Sequence, residues 1–146
     1  MGKTQSNRTL TAGELLRLPT PIILCVDRQD YTDAITAAGY QPVSLNLPLA
    51  KSISKNTVNE IPLVIFRKIR NILPNSEPVY LTDYEMLFDP RYKLDVIRLF
   101  TDLSRHYKII VKWCGTIGED TLIYSEPGYE DHKIYKISNY DITVIA

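Results

Sequence analysis

Glycine is scarce in this chain, with 6 residues in 146. None of them follows the first apolar run, where a phosphate-cradling loop would need them to bring backbone N–H groups close to a ligand. Cysteine is scarcer still. Cys25 and Cys114 lie far apart, form no metal-type pair, and fit a reducing, cytoplasmic setting. Only two histidines, His106 and His132, accompany the scattered acids, so no zinc-type spacing arises. Long hydrophobic runs are missing. The longest, Ile22 to Val26, has five residues, against about 20 for a membrane-spanning helix. The polar start, MGKTQSNRTLTAGE, has no apolar signal core. Net charge is absent as well. Lysine plus arginine and aspartate plus glutamate each number 17, which excludes a domain that holds nucleic acid by bulk charge.

What is present suffices for one folded body. Apolar residues make up 45% of the chain and charged residues 23%, a composition that supports a core and argues against disorder. Residues 1–146 are expected to form a single domain, with residues 1–10 flexible. The zero net charge conceals an asymmetry. Lys51, Lys55, Arg67, Lys68 and Arg70 face only Glu60 and Glu77 in their stretch, whereas Glu119, Asp120, Glu126, Glu130 and Asp131 follow one another with no base among them. Such opposed fields either steer partners or decorate solvated faces.

The pattern of elements is α/β. Thr11 to Leu18 has helical spacing and a Thr11-x-x-Glu14 start that resembles a capping box, and Pro19 stops it. Ile22 to Val26 reads as a strand buried on both faces. Asp30 is expected to cap the next helix, with Asp33 in its first turn, Tyr31, Ala34, Ile35 and Ala38 inward and Gly39 at its end. Pro42 to Asn46 is a weaker strand, which completes a βαβ unit. Leu47 to Lys55 is a short helix. Pro62 opens a longer one with an Ile61, Ile65, Ile69, Ile72, Leu73 stripe that ends at Pro74-Asn75-Ser76. Val79 to Asp83 is a strand and Tyr84 to Lys93 is turn-rich. Val96, Leu99, Phe100, Leu103 and Tyr107 trace an amphipathic helix, and Ile109 to Trp113 forms another strand. The tail supplies short strands at Leu122–Tyr124, Ile134–Ile137 and Ile142–Ile145. The expected fold is a three-layer α/β domain with a mostly parallel sheet and a C-terminal extension of short β-strands.

Candidate chemistry is sparse. Gly2-Lys3-Thr4 spells the end of a Walker A motif, but no strand precedes it. In the proper place, after Val26, stands Asp27-Arg28-Gln29-Asp30, with carboxylates where a triphosphate needs amide hydrogens and a lysine. Asp83 ends an apolar strand and Glu85 follows it, a pattern like the magnesium-holding strand of an NTPase. Together with Asp27 these carboxylates are the candidate nucleotide or Mg²⁺ ligands. Capping and loop hydrogen bonding is the simpler reading of them. Cys25 reads as a small buried hydrophobe, Cys114 as the better-placed thiol at a strand end, and His132 as an exposed turn residue. Eight of the ten tyrosines lie from Tyr80 onward, which suits a protein interface better than a polynucleotide in an acidic half.

One stretch is more specific than composition. Thr82 to Gly128 contains Glu85-x-Leu87-Phe88-Asp89-Pro90, Leu94-Asp95-x-x-Arg98-Leu99, Leu103-Ser104-Arg105, Trp113-x-Gly115 and Leu122-x-Tyr124-x-Glu126-Pro127-Gly128. With Leu45-Asn46-Leu47 upstream and an apolar strand at the end, this order resembles the small P-loop family called BrxF of bacterial BREX phage-defence islands. The resemblance implies a P-loop NTPase-like fold and a part in antiviral defence. The chain departs from it at the P-loop itself, so the fold is expected to be a degenerate one and family ATP chemistry is not carried over.

The leading expectation is therefore a non-catalytic, cytoplasmic protein with no cofactor. It would act through other proteins of a defence system, with self-association as a further possibility and no membrane. Its expected contact surface combines Phe88, Asp89, Pro90, Arg91 and Tyr92 with Tyr124, Glu126, Tyr129 and His132. The alternatives are a divergent nucleotide-binding ATPase subunit using Asp27, Asp83 and Glu85, or a DNA-binding accessory using Lys51, Lys55, Arg67, Lys68 and Arg70.

Overall fold

A computed structural model describes residues 1–75 and 77–146. Its centre is a six-stranded parallel sheet. In chain order the strands and helices are β1 (Lys3–Gln5), α1 (Ala12–Arg17), β2 (Ile22–Leu24), α2 (Gln29–Ala37), β3 (Gln41–Ser44), α3 (Asn46–Ile53), α4 (Ile61–Ile72), β4 (Val79–Thr82), α5 (Val96–Leu103), β5 (Ile109–Lys112), β6 (Thr116–Ile117), β7 (Thr121–Tyr124), β8 (Lys133–Lys136) and β9 (Thr143–Ile145). The large sheet runs β1-β9-β2-β5-β4-β3, and β6-β7-β8 form a separate antiparallel sheet.

Alternation along the central strands makes two cores. Ile23, Val79, Leu81, Ile109, Val111 and Val144 face one way, onto the stripes of α3, α4 and α5. Ile22, Leu24, Ile110 and Ile145 face the other, onto Leu15 of α1 and Tyr31, Ala34 and Ile35 of α2. Helices on both faces of a parallel sheet explain why its strands are apolar on both sides. This is a three-layer α/β fold.

The local signals explain most element ends. Thr11 caps α1 by accepting from the Glu14 N–H at 3.1 Å, while the Glu14 carboxylate accepts from the Thr11 N–H at 3.4 Å. Gly39 follows α2 with φ of 84°, a backbone that favours glycine. Pro42 is accommodated because β3 lies at the sheet edge. Pro62 sits in the first turn of α4, and Ile61, Ile65, Ile69 and Leu73 are buried beneath it. Ser76, assigned by sequence to the end of this helix, lies outside the described residues.

Four expectations change. Asp30 is not the cap of α2. Arg28 takes that position with extended backbone, and Asp30 lies inside the first turn, paired with the Arg28 guanidinium at 2.7 Å. Asn46 does not end a strand but begins α3. The helix from Val96 stops at Leu103, although the turn after it still buries Tyr107. The last strand does not join the C-terminal extension: β9 inserts between β1 and β2 in the large sheet. Its residues Thr143, Val144 and Ile145 are all buried, as a strand covered on both faces requires. Lys3–Gln5, within the opening ten residues, adds the parallel edge strand beyond β9.

Candidate functional site

Parallel strands place all their carboxyl ends on one edge, and ligands of open α/β sheets bind there, where connections leave neighbouring strands in opposite directions. In this chain β2 and β5 are such neighbours. From β2 the chain crosses to β3 at one edge of the sheet, and from β5 it continues through the small sheet to β9 on the other side. The candidate carboxylates Asp27, Asp83 and Glu85 follow β2 and β4 on this edge.

The structure brings two of the three together. Asp83 and Glu85 line a cavity of about 240 Å³ with Thr82, Lys112, Trp113 and Cys114. Asp27 is exposed and does not line it. Its charge lies close enough to Tyr80 to add to the burial that raises that phenol. Thr116 also stays out of the cavity. Its carbonyl instead accepts from the Trp113 indole N–H at 2.8 Å.

Both lining carboxylates are already engaged. The Ser44 hydroxyl donates to Asp83 Oδ2 at 2.6 Å, and the Thr82 hydroxyl approaches the same oxygen at 3.4 Å. The Asn46 amide donates to Glu85 Oε2 at 2.8 Å, and Asn46 Oδ1 accepts from the Met86 N–H at 3.2 Å. Asp83 has φ of 51°, a conformation to which aspartate is better suited than most side chains. Between them, the buried Tyr84 hydroxyl donates to the Lys112 carbonyl at 2.6 Å, and burial drives its pKa far above the ordinary phenol value. The end of β3 is thereby tied to that of β4 through side chains, and the end of β4 to β5 through the Tyr84 hydroxyl and the Lys112 backbone carbonyl. Sequence reasoning missed Ser44 and Asn46 as partners. Their signal was polarity at the end of an edge strand.

The thiols offer no nucleophile. Burial pushes Cys114 up to about 11 and Cys25 up to about 12, so both stay protonated near neutral pH. Among the described residues, no group of three or more His, Cys, Asp or Glu side chains is placed to hold a metal ion.

The corner after β2 is also occupied by protein. Only four residues, 25–28, separate β2 from α2, and none of them has the left-handed backbone of a phosphate loop. The Arg28 guanidinium contacts Asp30 through two nitrogens at 2.9 and 2.7 Å and lies 4.7 Å from the Tyr31 ring centre. The Asp30 carboxylate thus fills the first turn of α2 with negative charge, where an anion would otherwise be favoured.

The expected contact surface divides in two. Phe88 is a correction: it is 3% exposed and stacks on Tyr124 with ring centres 3.7 Å apart, so its ring belongs to the core. Asp89 and Arg91 pair with each other at 2.6 Å, and Asp89 accepts from the Arg91 N–H to cap the turn Pro90–Tyr92. Pro90, Tyr92 and Tyr124 are half-buried. Glu126 and Tyr129 stand out in solvent on the turn between β7 and β8. His132, expected to be exposed, is half-buried, and its Nδ1 has no partner among the described residues. Of the basic residues, Lys51 and Lys55 belong to α3 and the turn after it. Arg67, Lys68 and Arg70 ride on α4. All are exposed except half-buried Lys68.

Among the described residues, no helix is long and apolar enough to cross a membrane. Comparison with protein-family models, curated proteins and solved structures finds no match.

Proposed function

We propose that this chain is a degenerate P-loop NTPase-like domain that acts without nucleotide hydrolysis, as a protein-binding component of a bacterial BREX-like anti-phage defence assembly. The observation that carries the non-catalytic part is the four-residue link after β2, closed by the Arg28–Asp30 pair. A nucleotide there would lack the amide cradle and the lysine ammonium. Each such charge-assisted bond is worth about 1.5–3 kcal/mol, so losing several lowers affinity by orders of magnitude. At the other strand ends, Asp83 and Glu85 each commit one oxygen, Oδ2 and Oε2, to Ser44 and Asn46. The defence role is supported by the sequence resemblance between Thr82 and Gly128. Contact with other proteins is supported by the acidic, tyrosine-bearing turn at Glu126–Asp131, exposed from Glu126 to Glu130.

Two measurements test this reading. Calorimetry with magnesium and ATP should give no binding heat at millimolar nucleotide. Micromolar binding that disappears in Asp83→Ala would favour the divergent ATPase instead. Co-expression with the products of neighbouring defence genes should yield a co-purifying complex. A chain that pairs with none of them overturns the assembly role. A gel shift that weakens steeply with salt and is lost when Arg67 and Arg70 are neutralised would favour the DNA-binding accessory.

A further inference from the structure

Part of the basic run found in the sequence, Arg67 and Arg70, and the acidic run occupy two separate places in the fold. The first is a groove between α4 and α5. It has a volume of about 470 Å³ and a floor made by Ile65, Phe66, Leu94 and Leu99. Arg98 and Arg105 stand on its walls. Phe66 is shared with an adjoining cleft that holds Arg67 and Arg70. Leu63 lies on the same outward face of α4 as these residues, at spacings of three, four and seven, and is 84% exposed.

The charge there is incompletely compensated. Asp95 is occupied in accepting from the Arg98 N–H at 3.0 Å and the Tyr140 hydroxyl at 2.8 Å. Asp102 meets Arg105 only at 3.8 Å. Arg67, Arg70 and Arg98 make no ion pair among the described residues. The groove's own lining sets Arg98 and Arg105 beside Asp95 and Asp102, and the basic excess around this apolar trough comes from Arg67 and Arg70 on the far side of Phe66.

The second place is the turn joining β7 to β8. It is a formed turn: the Tyr129 N–H donates to the Glu126 carbonyl at 3.2 Å, and the His132 N–H donates to the Tyr129 carbonyl at 3.1 Å. Tyr129 is 63% exposed at its tip, between Glu126, Glu130 and Asp131. None of these acids has an ion-pair partner among the described residues, and the turn does not line the groove of its own chain. An aromatic tip flanked by carboxylates complements an apolar trough with arginines beside it in sign and in polarity.

We infer that the α4–α5 groove of one molecule receives the Glu126–Asp131 turn of a second copy of the same chain, with Tyr129 over Phe66 and the turn's carboxylates against Arg98 and Arg105. The two surfaces differ, so the contact is head-to-tail and a pair of molecules keeps one free groove and one free turn between them. Such contacts propagate into rings or open filaments rather than stopping at a symmetric pair. The inference shares the Glu126–Asp131 turn with the assembly role proposed above, but the groove is new to it, and association of the pure chain requires no other gene product.

Sedimentation of the purified chain across a concentration series is the test. The weight-average mass should rise above 16.7 kDa and continue past twice that value. It should fall back as salt rises from about 0.1 M to about 1 M, where the screening length shrinks from about 10 Å to about 3 Å. Arg98→Glu with Arg105→Glu removes the groove, and Glu130→Gln with Asp131→Asn removes the turn's charge without creating a partner for the altered groove. Each variant alone should be monomeric. Mixed in equal amounts, they should form one-to-one dimers and nothing larger, because only one matched pair of surfaces remains. Tyr129→Ala should weaken association at least tenfold with unchanged thermal unfolding. A chain that stays monomeric throughout, or a mixture of the two variants that gives no dimer, overturns the inference. In the first case, a co-expressed protein that is lost only with the groove variant would assign the groove to a foreign acidic segment.

Discussion

Replacing Phe88 with alanine distinguishes a core aromatic from a contact aromatic. Phe88 sits in a short helical turn, Glu85–Phe88, between strands and helices, a place where sequence alone suggests a surface role. Its ring is stacked on Tyr124 at 3.7 Å and 6° and meets Trp113 and Tyr135 edge-on at 6.1 and 6.3 Å. Tyr124 ends β7, Tyr135 lies in β8 and Trp113 follows β5. One side chain therefore joins the small sheet to the end of the large one. Truncating a buried phenylalanine costs about 3–5 kcal/mol. In a domain of this size each kcal/mol lowers the melting temperature by about 2–4 °C, so Phe88→Ala should melt about 6–20 °C lower. Urea unfolding followed by circular dichroism gives the free energy directly. Phe88→Leu should recover most of the loss, and a double-mutant cycle with Tyr124→Leu should return a coupling of about 0.5–1.5 kcal/mol. A loss below about 1 kcal/mol, or a coupling near zero, would refute the stacking as a structural link.

Other substitutions test the tie between strand ends. Gly115→Ala places a Cβ 1.9 Å from the Ile123 carbonyl oxygen, so the turn from β5 to β6 must shift, and urea unfolding should show a loss of about 1–3 kcal/mol. At Asp83, φ of 51° and the Ser44 hydrogen bond predict that Asp83→Asn stays near wild type while Asp83→Val loses about 1–3 kcal/mol; equal stability of the two would contradict the geometry. The raised thiols of Cys25 and Cys114, at about 12 and about 11, should react slowly with a disulfide reagent at neutral pH. Their rate should rise with pH toward those values and jump on unfolding in urea; fast labelling of the native chain at pH 7 would show that burial does not hold them protonated.

The parts of the fold that depend on neighbours in sequence were legible. Ile22–Leu24 reads as a doubly buried strand and Ile109–Val111 as a strand because all six positions are apolar, and all six are buried. The α1 start declared itself through Thr11 and Glu14. What escaped depends on residues brought together from far apart. β9 resembles the short strands of the tail, and only pairing with β2, more than a hundred residues earlier, moves it to the large sheet. Asp30 looks like a cap because aspartate favours that position, but the arginine two residues before it draws its carboxylate into an ion pair within the first turn. Phe88 looked available because loops are usually exposed. It is buried because the small sheet places Tyr124 and Tyr135 against it, and that sheet has no local signature at Phe88.

The same reasoning bears on the carboxyl edge of the large sheet. Ligands of open α/β sheets bind at this edge, and a polar group already bonded within the protein must give up that bond to take a ligand in its place. Here Asp83, Glu85 and Tyr84 each have a partner from another strand end at 2.6–2.8 Å, and the first turn of α2 holds its own carboxylate. A ligand that took these same oxygens would have to break bonds that close the β3–β4–β5 corner before making its own. Arg67, Arg70 and Arg98 by the groove and Glu126, Glu130 and Asp131 on the turn carry no ion pair among the described residues, so an opposite charge can meet them without opening the fold.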